Sequence, residues 1–166
     1  MQGPRPFLIG GQWRQGNIAA PVHDPFTGKV LAEVSQASEA DAEAAIQSTV
    51  EAATPMGTLP AHRRYHFLQK IAGSLYERSE EFARLMTGEA GKPISDARRE
   101  VSRAVQTFTV AAEEAKRIGG EVIPLDWTPG TDSHFGILRR FPIGPILGIT
   151  PFNFPLNLVA HKVAPA

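Results

Sequence analysis

Twenty consecutive residues, 141–160, carry no charge, yet they contain Pro142, Pro145, Pro151 and Pro155 together with Gly144 and Gly148. No other feature constrains the fold as strongly. An uncharged run of about 20 residues reaches the span of a bilayer helix. A proline inside a helix, however, removes a backbone donor and collides with the carbonyl four residues back. The repeated breaks argue against a membrane helix and for a run buried in protein. Within it Ile146, Leu147 and Ile149 form a short apolar stretch without alternation, the pattern of a strand covered on both faces. Thr150 and Phe154 each precede a proline and are biased toward extended backbone. Pro155 suits the first turn of a helix, where its missing N–H costs nothing. Asn153 is therefore expected on a stiff loop between the end of a buried strand and the start of a helix. Ligands of α/β proteins gather at that end of the strands. An amide there offers two N–H donors that never titrate, suited to stabilising an oxyanion. Asparagine in a proline-rich connection is also a common turn former, so spacing alone leaves both roles open.

Upstream, the pattern is mostly helical. Phe7, Leu8 and Ile9, then Gly10-Gly11, then Gln12, Trp13 and Arg14 read as a small hairpin, since paired glycines supply the positive φ of a tight turn. Asp24, Pro25, Phe26, Thr27 and Gly28 read as a turn, and Val30, Ala32 and Val34 as a short strand after it. Ser38 and Asp41 have capping-box spacing, with Ala42, Ala45, Ile46, Val50 and Ala53 following at helical intervals until Thr54-Pro55 is expected to stop the helix. Pro60 starts a second helix with the stripe Tyr65, Leu68, Ile71, Ala72 and Leu75. Ser79 with Glu80 and Glu81 reads as the N-cap and acidic first turn of a third, carrying Phe82, Leu85 and Met86 and ending at Gly91. Pro93 opens the longest, with Ile94, Ala97, Val101, Ala104, Val105, Phe108, Ala112 and Ala115 in one stripe closed by Gly119-Gly120. Residues 121–130 read as a loop and 134–141 as a strand whose two faces both meet protein.

Composition narrows the chemistry. A chain of 166 residues is long enough to bury roughly 70% of its unfolded surface. Charged side chains are 20% of the total and sum to zero, which favours neither nucleic acid nor an anionic membrane surface. There are no cysteines, so disulfides, zinc–thiolate sites and a cysteine nucleophile within these residues are excluded, and a reducing, cytoplasmic setting is suited. The N-terminus has no signal-peptide pattern. His62 and His66 have the spacing of a metal pair, but Arg63 and Arg64 between them oppose one, and no metal is expected. Gly91-Lys92 lacks the glycine spacing and the hydroxyl of a phosphate loop, and no G-x-G-x-x-G occurs.

The segment Ile149, Thr150, Pro151, Phe152, Asn153, Phe154 and Pro155, followed by Lys162, Val163, Ala164, Pro165 and Ala166, resembles the strand–loop–helix signature of the aldehyde dehydrogenase superfamily. Arg139 to Gly144 resembles that family's approach to the same strand, and Asp24 to Gly28 and Gly91-Lys92-Pro93 fall in the same order. The resemblance covers nearly the whole chain. It implies an α/β fold, namely the N-terminal segment of the aldehyde dehydrogenase fold: hairpin, long helices, then the first strand and helix of a Rossmann-like cofactor domain with an incomplete sheet. Residues 1–133 would form the hairpin and helical part, 134–144 a strand of an oligomerisation arm, and 145–166 the first strand–loop–helix. It further implies NAD or NADP lined by Ile149, Thr150, Pro151 and Phe152, with Asn153 donating to the oxyanion of a thiohemiacetal. Phe154, Asn157, Leu158 and His161, on one helical face, would meet an aldehyde substrate, with Lys162 a charge behind them. The family's nucleophilic cysteine and general-base glutamate match no residue here. The chain is thus expected to be the first third of a homo-oligomeric dehydrogenase, inactive and weakly cofactor-binding alone. The alternative is a non-catalytic module that docks onto a full-length dehydrogenase or another partner.

Overall fold

The computed structural model describes residues 3–166. Phe7–Ile9 (β1) and Gln12–Arg14 (β2) pair antiparallel around Gly10 and Gly11, whose φ values of 57° and 77° are those the turn demands. Ile18–His23 (β3), a strand the sequence reading left out, pairs with Val30–Gln36 (β4), with a bulge between Val22 and His23. The turn between them is held by Asp24, whose Oδ1 accepts from the amides of Phe26 at 2.8 Å and Thr27 at 3.0 Å.

Four helices follow: Glu39–Gly57 (α1), Ala61–Glu77 (α2), Ser79–Ala90 (α3) and Ile94–Ala115 (α4). The capping box is formed, with Ser38 and Asp41 exchanging side-chain-to-backbone bonds. Pro55 does not stop α1. The helix runs two residues further because Thr58 takes over the free carbonyls: its amide and hydroxyl both donate to Thr54 O at 3.1 Å, and the hydroxyl also donates to Pro55 O. Ile46 and Val50 on the α1 stripe are exposed, because no other described element covers that face. Ser79 is the first residue of α3 and not its cap, for Arg78 alone separates α2 from α3 and its guanidinium turns to Glu81 in a two-pronged ion pair. Gly91 ends α3 in the left-handed conformation, φ 64°.

The core lies where α4 crosses α2 and α3. Ala72 and Leu75 of α2 meet Ala104 and Phe108 of α4, while Ala83 and Met86 of α3 meet Ala97 and Val101. Alanines at these crossings let the backbones approach closely, with Phe108 and Leu75 supplying most of the apolar bulk at about 1.5–3 kcal/mol each. Arg98 reaches from α4 to α3 and grips both oxygens of Glu80 at 2.9 Å.

Beyond α4 the structure departs further from the sequence reading. Residues 121–124 are not loop. Glu121–Pro124 (β5) pairs antiparallel with Phe135–Leu138 (β6), and Pro124 stands at the strand's last position, where a missing N–H is tolerated. Contrary to expectation, Phe135 and Ile137 leave one face of β6 exposed, whereas Gly136 on the other face lies half-buried beside Leu125. Residues 146–149 form no strand. Ile146, Leu147 and Ile149 are 59%, 85% and 77% exposed. A strand requires a neighbour to take its backbone groups, and the three described sheets are separate two-stranded pairs that offer none here. The first strand of the expected Rossmann-like sheet is thus unpaired chain, and the α/β character comes from hairpins beside helices. The chain regains helix at Asn157–Val163 (α5), whose Ala160, with Ala164 at its C-cap, packs against Ala104 and Phe108. No helix among the described residues is long and apolar enough to cross a membrane.

Candidate functional site

The segment around Asn153 cannot be held by a strand, since none precedes it, and the structure shows another anchor. The first turn of a helix leaves amide donors without partners. In α5 the first helical bond runs from Leu158 N to Phe154 O at 3.0 Å, which puts Pro155, with no N–H of its own, inside the opening turn. The free amides of Leu156 and Asn157 both donate to Oε1 of Glu100, at 2.9 and 3.0 Å. Glu100 lies in the middle of α4 and is only 1% exposed. Its other oxygen, Oε2, accepts from the ammonium of Lys92, a residue that follows the Gly91 corner. Lys92 Nζ also donates to the backbone carbonyl of Asn153 at 3.3 Å and lies 4.0 Å from the centre of the Phe154 ring. Arg103 approaches the same ring from α4 at 5.8 Å.

A buried carboxylate is costly unless it is paired and its lone pairs are used. Glu100 meets that condition through one ammonium and two amides, and all three of these partners belong to, or hold, residues 153–157. Sequence reasoning missed both Lys92 and Glu100. The signal existed: Glu100 falls between Ala97, Val101 and Ala104, on a face that is otherwise apolar.

The residues expected at the site are distributed as follows. Asn153 is exposed and its side-chain amide donates to no other described residue, so both N–H groups are available. Ile149, Thr150, Pro151 and Phe152 are exposed as well, and among the described residues their backbone groups bond to nothing else in the chain. Unused backbone donors and acceptors beside an open aromatic ring suit the hydroxyls and carboxamide of a dinucleotide, so these four residues fit one wall of such a site. Phe154 lies under the Lys92 ammonium and Leu158 is half-buried. Asn157 is 2% exposed, turned into the α4 interface with its Oδ1 unpartnered, and not toward an open tunnel. His161 is exposed and lines a groove of about 780 Å³ with Arg64, Phe67, Arg103 and Val110. The four residues expected to meet substrate therefore do not converge on one cavity. Lys162 is exposed, its stem beside Gly148. His62 and His66 stack edge to face with ring centres 6.4 Å apart, and no group of three metal-ligating side chains occurs among the described residues.

Comparison with known proteins settles the family. The sequence model described as the aldehyde dehydrogenase family matches residues 13–166. The chain belongs to that family. It is 39% identical over 160 residues to a 3-sulfolactaldehyde dehydrogenase of Priestia aryabhattai, covering 96% of this chain and 33% of that protein. Among solved structures it is similar to aldehyde dehydrogenase 21 of Physcomitrella patens, crystallised with the reaction product succinate, with TM-score 0.91 and 45% identity over 98% of this chain and 34% of that one. It is also similar to an NADP-dependent glyceraldehyde-3-phosphate dehydrogenase of Bacillus halodurans complexed with NADP, with TM-score 0.91 and 32% identity over 99% of this chain and 35% of that one. The fold described above is therefore the corresponding segment of the aldehyde dehydrogenase fold. The chain spans about a third of the length of the relatives it matches.

Proposed function

We propose that this chain is a segment of a cytoplasmic, homo-oligomeric NAD(P)-dependent aldehyde dehydrogenase, and that Asn153 is its oxyanion donor. The observation that carries the reading is an amide with both donors free, on a loop whose backbone is pinned by a buried ion pair. In the whole enzyme a cysteine thiolate supplied by the rest of the polypeptide attacks the aldehyde carbon, and the carbonyl oxygen becomes an alkoxide. The Asn153 amide donates to that oxygen as the negative charge builds, and again to the thioester carbonyl before a glutamate-activated water releases the acid. Such donors act most strongly where charge develops in a preorganised, water-poor setting. The nicotinamide cofactor, when bound, is the acceptor that takes the substrate's hydride. Toward it this chain contributes the backbone of Ile149 to Phe152 as one wall. Of the residues expected to meet substrate, His161 lines an open groove and faces the remainder of the aldehyde, with Lys162 next to it on α5.

With no cysteine in its 166 residues, the chain alone forms no thioester. Purified chain mixed with an aldehyde and NAD or NADP is expected to produce no reduced cofactor, and calorimetric titration with either nucleotide to give no tight binding. Turnover by pure material would overturn the reading. The exposed apolar stretch from Phe141 to Phe152 also suits a docking module without catalysis of its own. Sequencing the gene beyond codon 166 separates the two: a continuing frame that encodes a cysteine and a glutamate supports the enzyme, and a stop codon supports the module.

A further inference from the structure

Three hydrogen bonds and one cation–ring contact converge on the short segment 153–157 from one ion pair. Glu100 holds the amides of Leu156 and Asn157 with Oε1 and the Lys92 ammonium with Oε2, and Lys92 in turn holds the carbonyl of Asn153 and covers the ring of Phe154. The residues between are short of other restraints: 145–152 is unpaired, exposed chain. We propose that Lys92 and Glu100 are positioning residues for Asn153, a two-residue tether that fixes the peptide on either side of it and so sets where its free amide points. The inference rests on the reading of Asn153 as an oxyanion donor.

The physical argument concerns orientation. Held at its own carbonyl by Lys92 and, three and four residues later, at two amides by Glu100, Asn153 keeps only its side-chain torsions. Losing either hold releases the loop to follow the unpaired segment before it, and a donor displaced by about 1 Å can cost 10²-fold in rate. Glu100 is also the group that makes Lys92 stay. An ammonium on a four-carbon stem at an exposed corner would otherwise stand in water, whereas the buried carboxylate draws it inward across the Asn153 carbonyl.

Two near-isosteric variants test this, Glu100→Gln and Lys92→Met, alone and combined with Asn153→Ala. In the chain described here, hydrogen exchange read by mass spectrometry on a peptide covering 153–160 is expected to speed by about tenfold or more in Glu100→Gln, while peptides of α2 and the first half of α4 keep their protection. Unchanged exchange at 153–160 would overturn the tether. In the full-length enzyme both variants are expected to lower kcat by about tenfold or more with little change in KM. The deciding readout is the double-mutant cycle. In the Asn153→Ala background the same two substitutions are expected to change kcat by less than about twofold, because the group they position is gone. Equal losses in both backgrounds would show a general structural role and sink the proposal. If Asn153→Ala alone leaves kcat unaltered, the oxyanion reading fails, and the exchange experiment then judges the tether by itself.

Discussion

At the scale of single residues, the surprise is that two of the three largest fully buried side chains, Glu100 and Asn157, are polar, with Val101 the third. Glu100 carries the greater weight because three donors depend on it. Glu100→Ala leaves a shielded ammonium and two helix amides without a partner, and removing one member of a buried pair costs about 3–5 kcal/mol. A urea titration followed by circular dichroism should show a loss of that order, and a shift under about 1 kcal/mol would mean that water replaces the carboxylate readily. The exposed carboxylates act differently. Hydrogen bonds from the Thr27 and Phe26 amides hold Asp24 below the usual carboxylate range, and the Ser38 hydroxyl and amide do so for Asp41. Arg98 has the same effect on Glu80, and Arg78 on Glu81. A pKa depressed in the folded state means that the stabilisation is fully present above the unfolded value, about 3.9 for Asp and 4.3 for Glu. It is lost as pH falls through the lower folded value. Thermal midpoints are therefore expected to be flat from neutral pH down to about 5 and to fall below about 4. Asp41→Asn should reduce the acid-dependent part of that drop.

At the scale of elements, the helices, the Gly10-Gly11 hairpin and the strands at Val30 and Phe135 were legible, whereas β3, β5 and the unpaired stretch 146–149 were not. The stripe from Ala97 to Ala115, the Ser38 capping box and the stop at Gly91 follow from local chemistry that a sequence displays directly. Whether residues 146–149 become a strand depends on a neighbour's backbone, which no local pattern can display, and β3 was passed over because Ile18, Ala19, Ala20 and Pro21 hardly alternate. Glu100 stands out on an otherwise apolar face, but its role was hidden for a third reason: the two amides it holds lie 56 and 57 residues away. The Gly91 corner links α3 to the lysine of the tether. A Cβ there would stand 3.0 Å from Cγ of Pro25 on a left-handed backbone, so Gly91→Ala is expected to cost about 1–3 kcal/mol. It should also loosen the Lys92 hold, seen as faster exchange at 153–157. Pro55 gives the opposite case. Pro55→Ala restores a donor to the last turn of α1, and the helix should gain up to about 3 kcal/mol, read as slower exchange of residues 51–57. No gain would mean that Thr58 already satisfies that end in full.

At the scale of the whole molecule, the helical layer is packed while the chain from Phe135 to Phe152 lies open. Phe141, Ile143, Leu147 and Phe152 are each 74% exposed or more. A contiguous apolar surface of that kind is seldom left in water. The purified chain is therefore expected to bind an environment-sensitive dye and to sediment as a concentration-dependent oligomer. A monomer with no dye response would contradict that expectation. The same opening explains why the family resemblance reached further than physical pattern reading. The motif from Ile149 to Pro155 can be matched as a string of residues, whereas pattern reading needs the neighbours that would make it a strand, and the described sheets offer none. The most direct measurement is kcat for aldehyde oxidation by the full-length enzyme with Asn153 and with Asn153→Ala, thermal midpoints being recorded alongside. The account predicts a loss of about 10²–10³-fold at an unchanged midpoint, the effect of removing one oxyanion donor. An unaltered kcat would contradict it.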